Sequence, residues 1–434
     1  MTKFTSFFLA LIALCLALPA QAQLEVGVKR GQIKPVPIAI SPFYAQSPDL
    51  TQFAKDIPNI ITNNLQGSGL FKAVSPGSFI QDPSSLQQEG PRFAEWRAIN
   101  AQVLVTGTVT KSGDGRTRVE FRLWDVFSQK QIAGMAYMTT AQNWRRIAHI
   151  ISDEVYSRVT GEDKYFDSRI VYISESGPAN NRMKRLAIMD QDGANHRFLT
   201  DDSTLVLTPR FSPTAQEITY MSYKGGKPRV YLYNIDTGRQ EVLGDFPGMT
   251  FAPRFSPDGQ KVIMSMSQAG STDLYEMDLR SRRSRKLTNT NGIDTAPSYS
   301  PDGKQIVFES DRGGTQQLYV MDSNGGNPRR ISFGDGRYAN PVWSPRGDLI
   351  AFIKMSGGQF YLGVIRPDGS GERLITQSFH VEGPSWSPNG RVLTYFKEAG
   401  RASKIYTIDI TGYNERVLPT PRDGSDPAWS PLNQ

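Results

Sequence analysis

From residue 169 onward, apolar positions fall in runs of four or five broken by Pro, Gly, Asp and Ser, the rhythm of short strands and tight turns. One phrase returns six times. It reads Pro209-Arg-Phe-Ser-Pro213, Pro253-Arg-Phe-Ser-Pro257, Pro297-Ser-Tyr-Ser-Pro301, Pro341-Val-Trp-Ser-Pro345, Pro384-Ser-Trp-Ser-Pro388 and Pro427-Ala-Trp-Ser-Pro431, at intervals of 44, 44, 44, 43 and 43 residues. A period in the forties with strand content predicts propeller blades of four strands. Each central aromatic suits burial between sheets. Pro257-Asp258-Gly259 and Pro301-Asp302-Gly303 are turn sequences, and apolar strands such as Gln305-Ile-Val-Phe308 follow.

The count of strands sets the topology. Sets for the second to fourth strands occur six times, the earliest being Arg169-Ile-Val-Tyr172, Leu186-Ala-Ile-Met-Asp190 and Arg197-Phe-Leu-Thr200. That first set has no phrase ahead of it, and the phrase at Pro427 has no strands behind it. The last strand is therefore expected to complete the first blade, which leaves no open sheet edge. The fold class expected is mainly β: a C-terminal six-bladed β-propeller over residues 169–434, preceded by a small α+β domain.

Residues 23–160 lack the repeat. Strands are expected at 36–43, 102–110, 118–126 and 132–139, and helices at 49–65 and 93–100. Over 142–158 an amphipathic helix places Trp144, Ile147, Ile150, Ile151 and Val155 on or near one face. Residues 161–168 read as a linker. Residues 23–34 read either as a first strand or as a mobile tail.

The opening segment changes the picture more than the overall composition does. Lys3, the apolar run Phe7 to Leu18 and Ala20-Gln21-Ala22 form a secretory signal peptide over residues 1–22, the apolar run being short for a spanning helix. Cys15 is the single cysteine, and the bulky Leu14 before it argues against a lipoprotein site. The exported chain then has no disulfide and relies on packing and hydrogen bonds. Its formal charge falls from +7 to +6 on loss of Lys3. The basic residues are scattered, densest from Arg280 to Lys286, and make no nucleic-acid stripe.

Catalytic patterns are sparse. There is no G-x-S-x-G elbow, and Gly67-Ser68-Gly69 sits where a helix should stop. His149, His196 and His380 are far apart in sequence without metalloprotease spacing, and His149 is expected to face solvent or a helix neighbour. The residues just before the innermost strands' prolines are Thr208, Ala252, Ala296, Asn340, Gly383 and Asp426. Of these, Asn340 and Asp426, with Glu382 nearby, offer metal ligands, which keeps a channel-metal hydrolase of the six-bladed lactonase type as the alternative. The preferred reading needs no cofactor or metal.

Signal peptide, α+β domain and Ser-Pro-Asp-Gly repeats together resemble the TolB family of periplasmic proteins over essentially the whole exported chain. The junction Ser152-Asp-Glu-Val-Tyr-Ser-Arg-Val-Thr-Gly161 followed by Ser168-Arg-Ile-Val-Tyr172, and the terminal Pro427-Ala-Trp-Ser-Pro431, carry that resemblance. It implies a non-enzymatic adaptor in the periplasm that binds the lipoprotein Pal through the propeller and TolA through its N-terminal segment. TolQ and TolR would act indirectly, and Pal would supply peripheral attachment to the outer membrane. The system so implied maintains outer-membrane integrity and supports its invagination during division. By position, the Pal-binding residues are expected at the channel mouth: Met249, Thr250, Thr295, Asn340, Glu382 and Asp426. The TolA-binding residues are expected within 23–32: Leu24, Glu25, Val26, Val28 and Lys29.

Overall fold

A computed structural model describes residues 34–433 except 179–180, 202, 245, 247, 269 and 401. The N-terminal domain is one mixed sheet with helices against it. Strand β1 (Val36–Ile40) pairs in parallel with β3 (Phe71–Ala73) and β4 (Val103–Lys111), and the short β2 (Tyr44–Ala45) also runs parallel to β4. Strands β5 (Thr117–Asp125) and β6 (Lys130–Thr139) extend the sheet antiparallel. In β5 the side chains of Val119, Phe121 and Leu123 point inward at alternate positions.

Two long helices cover the sheet. Helix α1 (Thr51–Gly67) contains Pro58, which cannot donate to Ala54; the carbonyl of Ala54 instead accepts the amide of Phe43 at 2.9 Å. The break in the helix ladder thus becomes a tie to the chain that follows β1. The expected helix stop holds: α1 ends at Gly67, and Gly69 takes a positive φ of 76°. Helix α4 (Trp144–Thr160) buries Ile147, Ile151, Val155 and Val159, a stripe at four-residue spacing. Between them lie two short helices, α2 (Pro83–Glu89) and α3 (Phe93–Ala98).

The ring has six four-stranded antiparallel sheets. In the first, Asp423–Leu432 pairs with Ser168–Ser176, which pairs with Met183–Asp190 and then Arg197–Phe198; Trp429 lies opposite Ile170 and Ala428 opposite Val171. The closing strand is where the count of repeats places it. The innermost strands of the other five blades are Val206–Phe211, Met249–Phe255, Asp294–Tyr299, Arg337–Trp343 and Val381–Trp386.

Residues 161–168, read as a linker, run from an exposed start at Gly161 to a buried strap at Tyr165–Ser168. Asp153 of α4 accepts the amides of Tyr165, Phe166 and Asp167 at 2.7, 2.7 and 2.8 Å. Tyr165 and Phe166 join an apolar cluster that runs from both long helices to Ile170, Val392, Ile405 and Trp429 of the ring. Polar ties surround it. Glu162 pairs with Arg391 at 2.7 Å and with Arg346, Arg391 pairs with Asp409 at 2.8 Å, and Asn414 donates to the carbonyl of Gly67 at 2.7 Å. Arg346, Arg391 and Asn414 lie at the turns that follow the first and third strands of their blades, which share one face of the ring. The N-terminal domain is seated there, and the loops entering the innermost strands open on the opposite face.

Of the two positions expected for His149, solvent or a helix neighbour, the second is found. The side chain is 3% exposed, its Nδ1 contacts Asn64 Nδ2 of α1 at 2.9 Å, and its Nε2 lies 3.7 and 3.9 Å from carboxylate oxygens of Asp190 and Asp192 in the ring. It is closed off from solvent by the second domain, whose approach helical periodicity cannot show.

Candidate functional site: the open channel mouth

Every innermost strand carries the same irregularity at its mouth end. Thr208, Ala252, Ala296, Asn340, Gly383 and Asp426 each adopt a left-handed φ between 47° and 66°, and each precedes the proline of its phrase. Pairing with the second strand shifts register at that point in all six blades. The physical cause is local: proline has no amide to give the ladder, so the strand bulges around it. Six bulges in one plane shape a mouth.

The residues expected there behave differently from one another. Met249 stands out from the rim at 44% exposure, while Thr250 is buried at 2% and presents no side chain to a partner. Thr295 Oγ1 is 3.0 Å from Ser265 Oγ, a tie along the rim. The amide of Asn340 donates to Glu309 Oε2 at 2.6 Å. Burial pushes the Glu309 carboxyl up to about 7. Glu382 lies 3.4 Å from His380, which contacts Glu398 at 3.1 Å. Burial also raises the Glu382 carboxyl; His380 opposes this, while the charges of Asp426 and Glu398 add to it. Carboxylates from three blades therefore interact across the mouth. Leu24, Glu25, Val26, Val28 and Lys29 lie outside the described residues.

Four rim residues escaped the sequence reading. Leu205, Ile293, Phe333 and Phe379 are exposed apolar side chains on the loops that enter innermost strands, with Phe333 at 71% and Phe379 at 75%. With Met249, they put an apolar group on five of the six inter-blade crossings. A signal was available: Leu205, Met249 and Ile293 each stand four residues before the proline of their phrase. Phe333 and Phe379 break that register and are found only through their exposure.

The opposite end of the channel is a cavity of about 360 Å³, lined by the closing prolines of all six phrases. Among the described residues, the His and acidic side chains close enough to share a metal ion are His149, Asp190 and Asp192, between the domains, rather than the mouth carboxylates. The Arg145 guanidinium already pairs with Asp192 there and lies 3.7 Å from Asp190.

An α+β domain seated on one face of a six-bladed ring, with an apolar-rimmed mouth on the other, defines the class: two-domain propeller proteins. Residues 156–433 match the family model described as the TolB beta propeller domain, and residues 24–132 match that of the TolB amino-terminal domain. The crystal structure of TolB from Acinetobacter baumannii superposes with a TM-score of 0.81 at 30% identity, covering 92% of this chain and 97% of that one. A Tol-Pal system protein TolB from Paramagnetospirillum magneticum is 60% identical over 237 residues, which span 55% of this chain and about half, 53%, of the relative. Hydrazine synthase from Kuenenia stuttgartiensis, at 15% identity and a TM-score of 0.52 over 63% of this chain and 49% of that one, shares the fold alone. The chain belongs to the TolB family.

Proposed function

We propose that the chain is the periplasmic adaptor of a Tol-Pal system, exported by residues 1–22 and without catalytic activity of its own. The propeller mouth receives the lipoprotein Pal, and the segment 23–32 engages TolA, so that the adaptor joins an outer-membrane anchor to an inner-membrane motor complex. Through these contacts it maintains outer-membrane integrity and supports invagination at division. The observation that carries the reading is the apolar rim: Leu205, Met249, Ile293, Phe333 and Phe379 stand exposed around the mouth facing away from the N-terminal domain. Exposed apolar groups gathered on one face mark protein docking sites. Asn340, Glu382 and Asp426 serve this reading as polar contacts of the docking surface, and the hydrolase alternative is not favoured. Among the described residues, no helix is long and apolar enough to cross a membrane, which accords with a periplasmic place.

Calorimetric titration of the full exported chain with the soluble domain of Pal from the same organism tests the reading. Saturable binding at micromolar concentration or tighter is expected, weakened at least tenfold when Phe333 and Phe379 are both changed to Ala, consistent with two interface anchors. Folded protein that shows no binding at those concentrations contradicts it.

A further inference from the structure

The second position of the repeated phrase contributes to the lining of the channel cavity in every blade, and around the ring it reads Arg210, Arg254, Ser298, Val342, Ser385 and Ala428. Two arginines from adjacent blades, at one register of the ring, therefore line the 360 Å³ cavity together with two serines. Arg210 donates to its neighbour's carbonyl, Pro209 O, at 2.6 Å. Asp426, one layer toward the mouth, is the acidic group that Arg210 feels, and the charge acting on Arg254 is that of Arg210 itself. Burial and that neighbouring positive charge hold the Arg254 guanidinium well below its usual value. Ser298 Oγ accepts the amide of Trp343 at 3.2 Å, and Ser385 Oγ accepts the amide of Trp429 at 3.0 Å. Each hydroxyl keeps its own proton to donate.

Paired cations lining a narrow channel, each only partly open to it and with one acid near them, are costly unless a counter-charge joins them. From these residues we infer that the N-terminal-domain end of the channel is a binding site for a small doubly charged oxyanion, of the phosphate or sulfate kind. Arg210 and Arg254 supply the charge, and Ser298 and Ser385 supply hydrogen-bond donors. This site is separate from the docking rim and needs no partner protein.

Titration of the full exported chain with inorganic phosphate in a phosphate-free, low-salt buffer tests it, read by calorimetry and by melting temperature. One phosphate per chain is expected, with sulfate equivalent and acetate at least tenfold weaker. Arg254→Met and Arg210→Met are each expected to weaken binding at least tenfold. Without phosphate, both variants should melt no lower than the wild type, because each removes a poorly compensated cation; that readout also shows that they fold. Equal phosphate binding by wild type and both variants would overturn the site. So would a stabilisation of the wild type that sodium chloride reproduces at equal ionic strength. Either result leaves the Pal titration untouched.

Discussion

Thr208 holds a β-branched side chain at a φ of 50°, and its hydroxyl is buried without a hydrogen-bond partner. That backbone region costs an ordinary residue about 1–2 kcal/mol. Thr208→Gly is expected to stabilise the chain by about 1 kcal/mol in urea unfolding; destabilisation by that much would show that the bulge geometry needs the threonine. Asn340, Gly383 and Asp426 are residue types that tolerate this conformation, whereas Ala252 and Ala296 carry no such signature. The six prolines were legible in the sequence, and the backbone state before them was not, because it follows from the bulge and not from the residue type. Glu309 supports a pH test. Its carboxyl rises from an ordinary 4.5 to about 7 in the folded chain, so the unfolded chain ionises first as pH rises. The wild type is therefore expected to lose up to about 3 kcal/mol between pH 4.5 and 7, with none of that loss below 4.5. Glu309→Gln should remove this part of the profile; an unchanged difference in stability between pH 4.5 and pH 8 would show that the carboxyl ionises normally.

Among the elements, the Ser-Pro-Asp-Gly turn shows why the repeat is so readable. Ser256 Oγ donates to Asp258 at 2.5 Å and accepts the Lys261 amide at 3.0 Å; Ser300, Asp302 and Gln305 repeat this at 2.6 and 2.9 Å. Side chains close these turns, so sequence alone announces them. The closing strand is held in the same local way, with Trp429 Nε1 donating to Ser168 Oγ at 2.8 Å and its ring near Tyr165. Trp429→Ala is expected to cost about 3–5 kcal/mol in chemical unfolding, enough to weaken the clasp of the whole ring. A loss under 1 kcal/mol would mean that backbone pairing suffices. Short elements were missed, among them the two-residue β2. Helix α2 has Asp82 as N-cap, Pro83 at its start and Gly90 after it, yet it buries only Leu86, too little for a periodic signal. Strand β3 is three residues long and pairs only with β1.

For the whole molecule, ring closure could be counted from the repeat, but the seating of the N-terminal domain could not. Its contacts join residues such as Asn64 with Gln191, Gly67 with Asn414 and Glu162 with Arg391, separations that no local pattern encodes. The seating is what gives the ring two unlike faces, one covered and one presenting the apolar rim. The rim was half legible, through Met249 and the polar mouth residues, because the phenylalanines at 333 and 379 leave the register of the repeat. The central claim is that the uncovered mouth is the docking face. Hydrogen exchange of the full exported chain with and without the soluble Pal domain tests it most directly. Slowed exchange is expected at the crossings around Leu205, Met249, Ile293, Phe333 and Phe379, with the Ser-Pro turns unchanged. Protection confined to the Ser-Pro turns or to the N-terminal sheet would contradict the account.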